Sequence, residues 1–147
     1  MDFANYNYAA NADRGAVFVP LGPDGKPLAD VEFDVIGSDS GTVRKLLSRA
    51  KVDAVLAAKK AKQDRGAGEL TDAELTEAMQ DADARKEAME LAVAIEVVKS
   101  WRGVKDGGAD VDIKDKAAFI AKYDWLVPQI VAFVDNRANF MKAANVS

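Results

Sequence analysis

Four aspartates, Asp106, Asp110, Asp112 and Asp115, stand close together around Gly107-Gly108. Carboxylates at such spacing can wrap a hard cation such as calcium. The EF-hand order of alternating acids before a glycine, closed by an acid at the twelfth place, is absent. Gly107-Gly108-Ala109-Asp110-Val111-Asp112 echoes a calcium β-roll repeat, but in one copy only. A solvated turn followed by a helix cap accounts for the same letters, so no metal is expected.

Carboxylate pairs are plentiful between residues 72 and 90, yet nothing in the pattern singles out two in opposed environments, as acid/base catalysis requires. The five serines (Ser38, Ser40, Ser48, Ser100, Ser147) have no histidine to act as base, because the chain contains neither histidine nor cysteine. That removes the commonest general base, thiolate metal sites and disulfides together. No phosphate-binding loop or dinucleotide fingerprint occurs. The expectation is a protein without enzymatic activity or cofactor.

At 147 residues, 49% hydrophobic and 30% charged, the chain has the composition of one globular domain with a real core. A net charge of −4 argues against a dedicated nucleic-acid binder. No apolar run approaches the ~20 residues of a membrane span, and the N-terminus lacks a basic-then-apolar leader. No membrane partner and a cytosolic location are expected.

The elements follow from pattern. Residues 1–14 show no sustained period and read as a flexible N-terminal arm. Residues 15–147 read as a single domain. Within it, residues 15–37 alternate apolar and acidic side chains beside a Pro23-Asp24-Gly25 turn, the mark of a β-hairpin. Val31, Phe33 and Val35 should face the core, with Glu32 and Asp34 outward. Such a hairpin needs a helix or another strand beside it, whether from its own chain or another subunit. A basic helix over 42–63 follows the caps of Gly37-Ser38-Asp39-Ser40. Val43, Leu46, Leu47, Ala50, Ala54, Ala57 and Ala61 form its stripe, widened by Val52, Val55 and Leu56. A capping box at Thr71-Asp72-Ala73-Glu74 opens an acidic, then apolar, helix over 72–101. The two helices read as an antiparallel hairpin with complementary flanks. The C-terminal unit, 112–142, reads as two shorter helices, the second reaching about Lys142. The fold class is α+β, mostly α.

Several spaced features combine: Gly37-Ser38-Asp39-Ser40 before the basic helix, Trp101-Arg102-Gly103-Val104 after the acidic one, Tyr123-Asp124-Trp125-Leu126, and Arg137-Ala138-Asn139-Phe140 near the end. In this order they resemble the tail assembly chaperones of long-tailed, siphovirus-like bacteriophages. The likeness covers most of residues 15–140. The arm lies outside it, and the turn at 106–110 lacks the proline expected there. The resemblance implies a non-enzymatic chaperone in the cytoplasm of an infected bacterium. Its partners would be the tape measure protein and tail tube protein, kept soluble until the tube polymerises. Self-association stays open, as does a longer form made by frameshifting. On this reading Trp101, Val104, Trp125 and Phe140 are the partner-binding candidates. The alternative is a structural virion component, a tail or head–tail connector subunit, using the hairpin for strand pairing between subunits.

Overall fold

A computed structural model of the chain describes residues 2–66 and 68–141. Its strands lie between its helices, and the class is α+β with helix dominant. Strand β1 (Ala16–Phe18) pairs antiparallel with β2 (Glu32–Val35), in the register Ala16 opposite Val35 and Phe18 opposite Phe33. The connecting turn is closed by Gly22 N–H donating to Lys26 O at 2.9 Å and by a bridge between Leu21 and Pro27. Phe33 and Val35 are buried and Glu32 is exposed, so the period-two reading holds.

The hairpin gains its third strand from its own chain. Helix α3 (Asp72–Val97) stops at Val97, and β3 (Val98–Arg102) continues directly as the second neighbour of β2. The expected helix over 72–101 is therefore four residues too long. Val97, Val98 and Trp101 fit a helical period, but β-branched Val97-Val98 and a cross-strand match favour extended chain. Arg102 lies opposite Glu32 and Ser100 opposite Asp34. Arg102 donates to Glu32 at 2.6 Å and to Asp34 at 2.8 Å, while Ser100 hydrogen-bonds Asp34.

The N-terminal segment is another correction, because it is docked rather than loose. A 3-10 turn (Phe3–Tyr6) leads into helix α1 (Tyr8–Arg14), capped by the Asn7 side chain. Asn11 and Ala12 are buried, Gly37 N–H donates to Ala12 O, and the Arg14 guanidinium donates to Phe140 O at 2.8 Å. The segment looked unpatterned because its buried face is two small residues wide.

Helix α2 (Gly41–Arg65) starts at Ser40, whose buried hydroxyl accepts from Val43 N–H. Thr71 caps α3, accepting from Glu74 N–H at 3.2 Å. The Glu74 carboxylate accepts a hydrogen bond from the threonine hydroxyl at 3.1 Å, where a full capping box would bind the threonine amide.

After β3, a two-stranded ribbon of β4 (Lys105–Asp106) and β5 (Ala109–Asp110) turns the chain at Gly107-Gly108. A 3-10 turn capped by Asp112 leads to α4 (Lys116–Lys122). The chain then turns through 113° into α5 (Leu126–Asp135). The last helix ends at Asp135, where Asn136 caps a 3-10 turn, Arg137–Phe140. The expected end at Lys142 lies outside the described residues.

The core sits where the sheet, the end of α3 and α5 converge. Phe33, Val35, Val43, Ala94, Val97, Val98, Ile120 and Ile130 are closed from solvent. Seven rings form a continuous ladder through it: Phe140, Phe133, Phe18, Phe33, Trp101, Phe119 and Tyr123, with successive centroids 4.9 to 6.0 Å apart. Edge and tilted ring contacts of this kind add about 0.5–1.5 kcal/mol each beyond simple burial.

Candidate partner-binding site

The fold brings two distant sequence motifs together. Gly37 faces both Ala12 and Phe140, and a Cβ there would lie 2.9 Å from Ala12 Cβ and 3.1 Å from the Phe140 ring. Ser38 N–H donates to Val134 O, and its hydroxyl hydrogen-bonds Asp135. Asp39 accepts from Arg137 Nε at 2.8 Å and pairs with Arg44 at 3.5 Å. The Arg137 guanidinium also stacks 4.2 Å over the Tyr8 ring. The Arg137 bond, joined by Arg44, holds the Asp39 carboxyl below its ordinary value of 3.8. Gly37–Ser40 and Arg137–Phe140 are thus two halves of one clasp, closed by α1.

Trp101-Arg102-Gly103-Val104 has a similar architectural role. Gly103 adopts φ +74°, and a Cβ there would fall 1.8 Å from Asp30 O, so only glycine fits. Trp101 is half-buried between Phe33 and Phe119, and its indole N–H donates to Val111 O at 2.9 Å. Val104 is 6% exposed and Phe140 4%, both core members. They are not surface contacts. Of the four candidates, Trp125 alone stands out, 46% exposed.

Trp125 borders a cleft of about 360 Å³ between the β1–β2 turn and the C-terminal unit, walled by Pro20, Leu28, Val31, Val104, Phe119 and Leu126. Gln129 fixes the turn to α5 by bonding both ways with the Leu21 backbone, at 2.7 and 3.0 Å. At the mouth, Asp106 accepts from Lys122 at 2.8 Å and from the Tyr123 hydroxyl at 2.7 Å. Those two bonds depress the Asp106 pKa, Lys122 first. Two of the four aspartates that suggested a cation have other partners: Asp106 this pair, and Asp112 the Lys114 N–H. The cleft can seat one or two apolar side chains.

The larger apolar surface is elsewhere. Most of α2 and the first two-thirds of α3 stand clear of the core. On α2, Val52, Val55 and Leu56 are 57%, 49% and 58% exposed. At 100° per residue they fall on the side of α2 opposite Ala50, Ala54 and Ala57, which face α3 across a separate groove. Lys45 and Lys59 lie on the same face, before and after these three along the helix, and Lys62 lies at its edge. The sequence counted Val52, Val55 and Leu56 as a widening of the buried stripe. The half-turn offset from the alanines was the signal that they form a second face.

No family model, curated protein or solved structure matches this chain. Among the described residues, no single helix is long and apolar enough to cross a membrane.

Proposed function

We propose that this chain is a chaperone of phage tail assembly, without enzymatic activity, acting in the cytoplasm of the infected host. Its clients would be the tape measure protein and tail tube subunits. The observation that supports the reading is the outer face of α2. Three large aliphatic side chains stand about half exposed on a helix of 25 residues, roughly 37 Å long. Full burial of each such side chain is worth about 1.5–3 kcal/mol, so the face is built for a partner. The best fit is an amphipathic helix lying along α2, its apolar stripe on Val52, Val55 and Leu56 and acidic residues beyond that stripe against Lys45, Lys59 and Lys62. A tape measure is a long helical chain whose apolar stripes need temporary cover. The ordered motifs of the sequence point the same way. Trp125 and its cleft offer a second, smaller foothold on the same client.

Affinity capture of the tagged chain from infected cells tests this. Tape measure protein should be the main partner recovered, and Val52→Asp/Leu56→Asp should lose it. Recovery of no tail protein would overturn the proposal. The virion-component reading rests on the outer edge of β1, where Val17 is 49% exposed and a strand from another subunit could add. Mass spectrometry of purified particles separates the two. A chaperone is scarce there, whereas a structural subunit is stoichiometric.

A further inference from the structure

Helices α2 and α3 leave an open groove of about 760 Å³ between them, at the end nearer the body. Eight apolar side chains line it, among them Leu46, Leu47 and Ala50 from α2 and Met89 and Ala92 from α3. Not one of the eight is buried. The two helices do not cover each other along this stretch, and a continuous apolar surface of this kind marks a place for another element. Five charged side chains border it, Arg49, Lys51, Arg85 and Lys86 against the single acid Asp53. At 100° per residue, Arg49 and Lys51 fall on opposite sides of the row Ala50, Ala54 and Ala57, so cations stand along both edges of the α2 wall. Among the described residues, none of the four cations has a carboxylate within 4.0 Å, while ion pairs elsewhere in the chain close at 2.6 to 3.5 Å.

An apolar trough edged by unpaired cations selects its occupant by chemistry. We infer that the groove binds an amphipathic helix of another protein, its apolar stripe seated between α2 and α3 and its Asp and Glu side chains beside Arg49, Lys51, Arg85 and Lys86. Helix-in-groove packing supplies the apolar contact, and the cations supply orientation and discrimination. From Leu46 to Ala57 the α2 wall runs about 16 Å, so the occupant presents about three helical turns. A flat bilayer or a nucleic-acid duplex would meet the cations but not the apolar lining between the helices. A second copy of this chain is not what the charges select, since its hairpin tip carries Lys59, Lys60, Lys62 and Arg65 beside the acids of α3. The inference goes beyond the client reading and uses another surface, because Val52, Val55 and Leu56 lie on the far side of α2.

Fluorescence anisotropy of a labelled synthetic peptide against the full chain tests it. The probe is an end-capped helix of about 18 residues, with a leucine stripe through its central turns and glutamates on both flanks. It should bind with a dissociation constant of about 10 µM. The same peptide with lysine flanks should bind at least ~10-fold more weakly. So should a scrambled glutamate peptide, which keeps the composition and loses the stripe. Arg49→Glu/Arg85→Glu should reverse the preference toward the lysine-flanked peptide. Ala54→Trp, at an exposed position, fills the groove and should abolish binding while circular dichroism finds helicity unchanged. Val52→Ser/Leu56→Ser should leave peptide affinity as it is, whatever its effect on client capture, so either reading can fail without the other. No binding of the glutamate peptide would overturn the inference, as would equal binding of the scrambled or lysine-flanked forms. Binding kept by Ala54→Trp or lost through Val52→Ser/Leu56→Ser would place the peptide elsewhere and overturn it too. A wild type that sediments as a dimer of the 15.8 kDa chain, dissolved by Ala54→Trp, would seat a second copy in the groove and contradict it as well.

Discussion

At the scale of single residues, the positions that looked functional are mostly architectural. Gly103 is the sharpest case, with φ +74° and Asp30 O in the space of a side chain. Gly103→Ala must both strain the backbone and push the β1–β2 connection away, and should cost about 2–4 kcal/mol in chemical denaturation. Trp101→Ala removes a ring from the middle of the aromatic ladder and an indole bond to Val111. It should destabilise by about 3–5 kcal/mol. Trp125→Ala, at a half-exposed position, should change stability by only about 1 kcal/mol while weakening client binding. If Trp101→Ala proved harmless to folding and abolished binding, the assignment of the two tryptophans would be reversed. Acid stability belongs at this scale too. Asp34, Asp39 and Asp106 all have carboxyls depressed below 3.8, chiefly by Arg102, Arg137 and Lys122 respectively. A depressed folded-state pKa contributes stability above the unfolded value, and that contribution disappears as pH falls through the folded one. Melting temperature should therefore hold down to about pH 4 and drop below it. Asp39→Asn should lower the plateau and flatten the drop, and an unchanged profile would exclude the Asp39 clasp as a source.

At the scale of elements, sequence legibility depended on how much each segment's own pattern decided its structure. The β1–β2 hairpin was readable because alternation and turn chemistry agree at Val31 to Val35. The start of α2 at Ser40 and of α3 at Thr71 were readable because caps are local. The end of α3 was not. Val97, Val98 and Trp101 satisfy a helical period, and what makes them a strand is the match of Ser100 and Arg102 with Asp34 and Glu32, nearly 70 residues away in sequence. Helix α1 was missed for a related reason, since its anchors are Gly37 and Phe140 at the other side of the clasp. The arm's docking leads to an expectation. Ala12→Leu places a large side chain against Gly37 and Phe140, and should destabilise by about 1–3 kcal/mol through overpacking. A thermal melt matching wild type would mean that α1 detaches at little cost.

At the scale of the whole molecule, the chain divides its labour. A body built on a three-stranded sheet, the end of α3 and α5 holds nearly all the buried apolar side chains. From it projects a helical hairpin whose apolar residues remain largely in water. The candidate site was only partly legible. The aromatic motifs point to the C-terminal third, where three of the four candidate residues, Trp101, Val104 and Phe140, are wholly or half buried. The accessible surface lies on α2, where the pattern showed apolar residues but not that one set would lack a covering neighbour. That depends on how far the hairpin stands off the body, which no local pattern encodes. The central claim is that this exposed face shields a helical client. Co-expression with the tape measure protein, followed by quantifying that protein in the soluble fraction, tests it most directly. Wild type should raise the soluble amount severalfold, and Val52→Asp/Leu56→Asp, still folded by circular dichroism, should return it to the level without chaperone. Rescue by the variant as complete as by wild type would contradict the account.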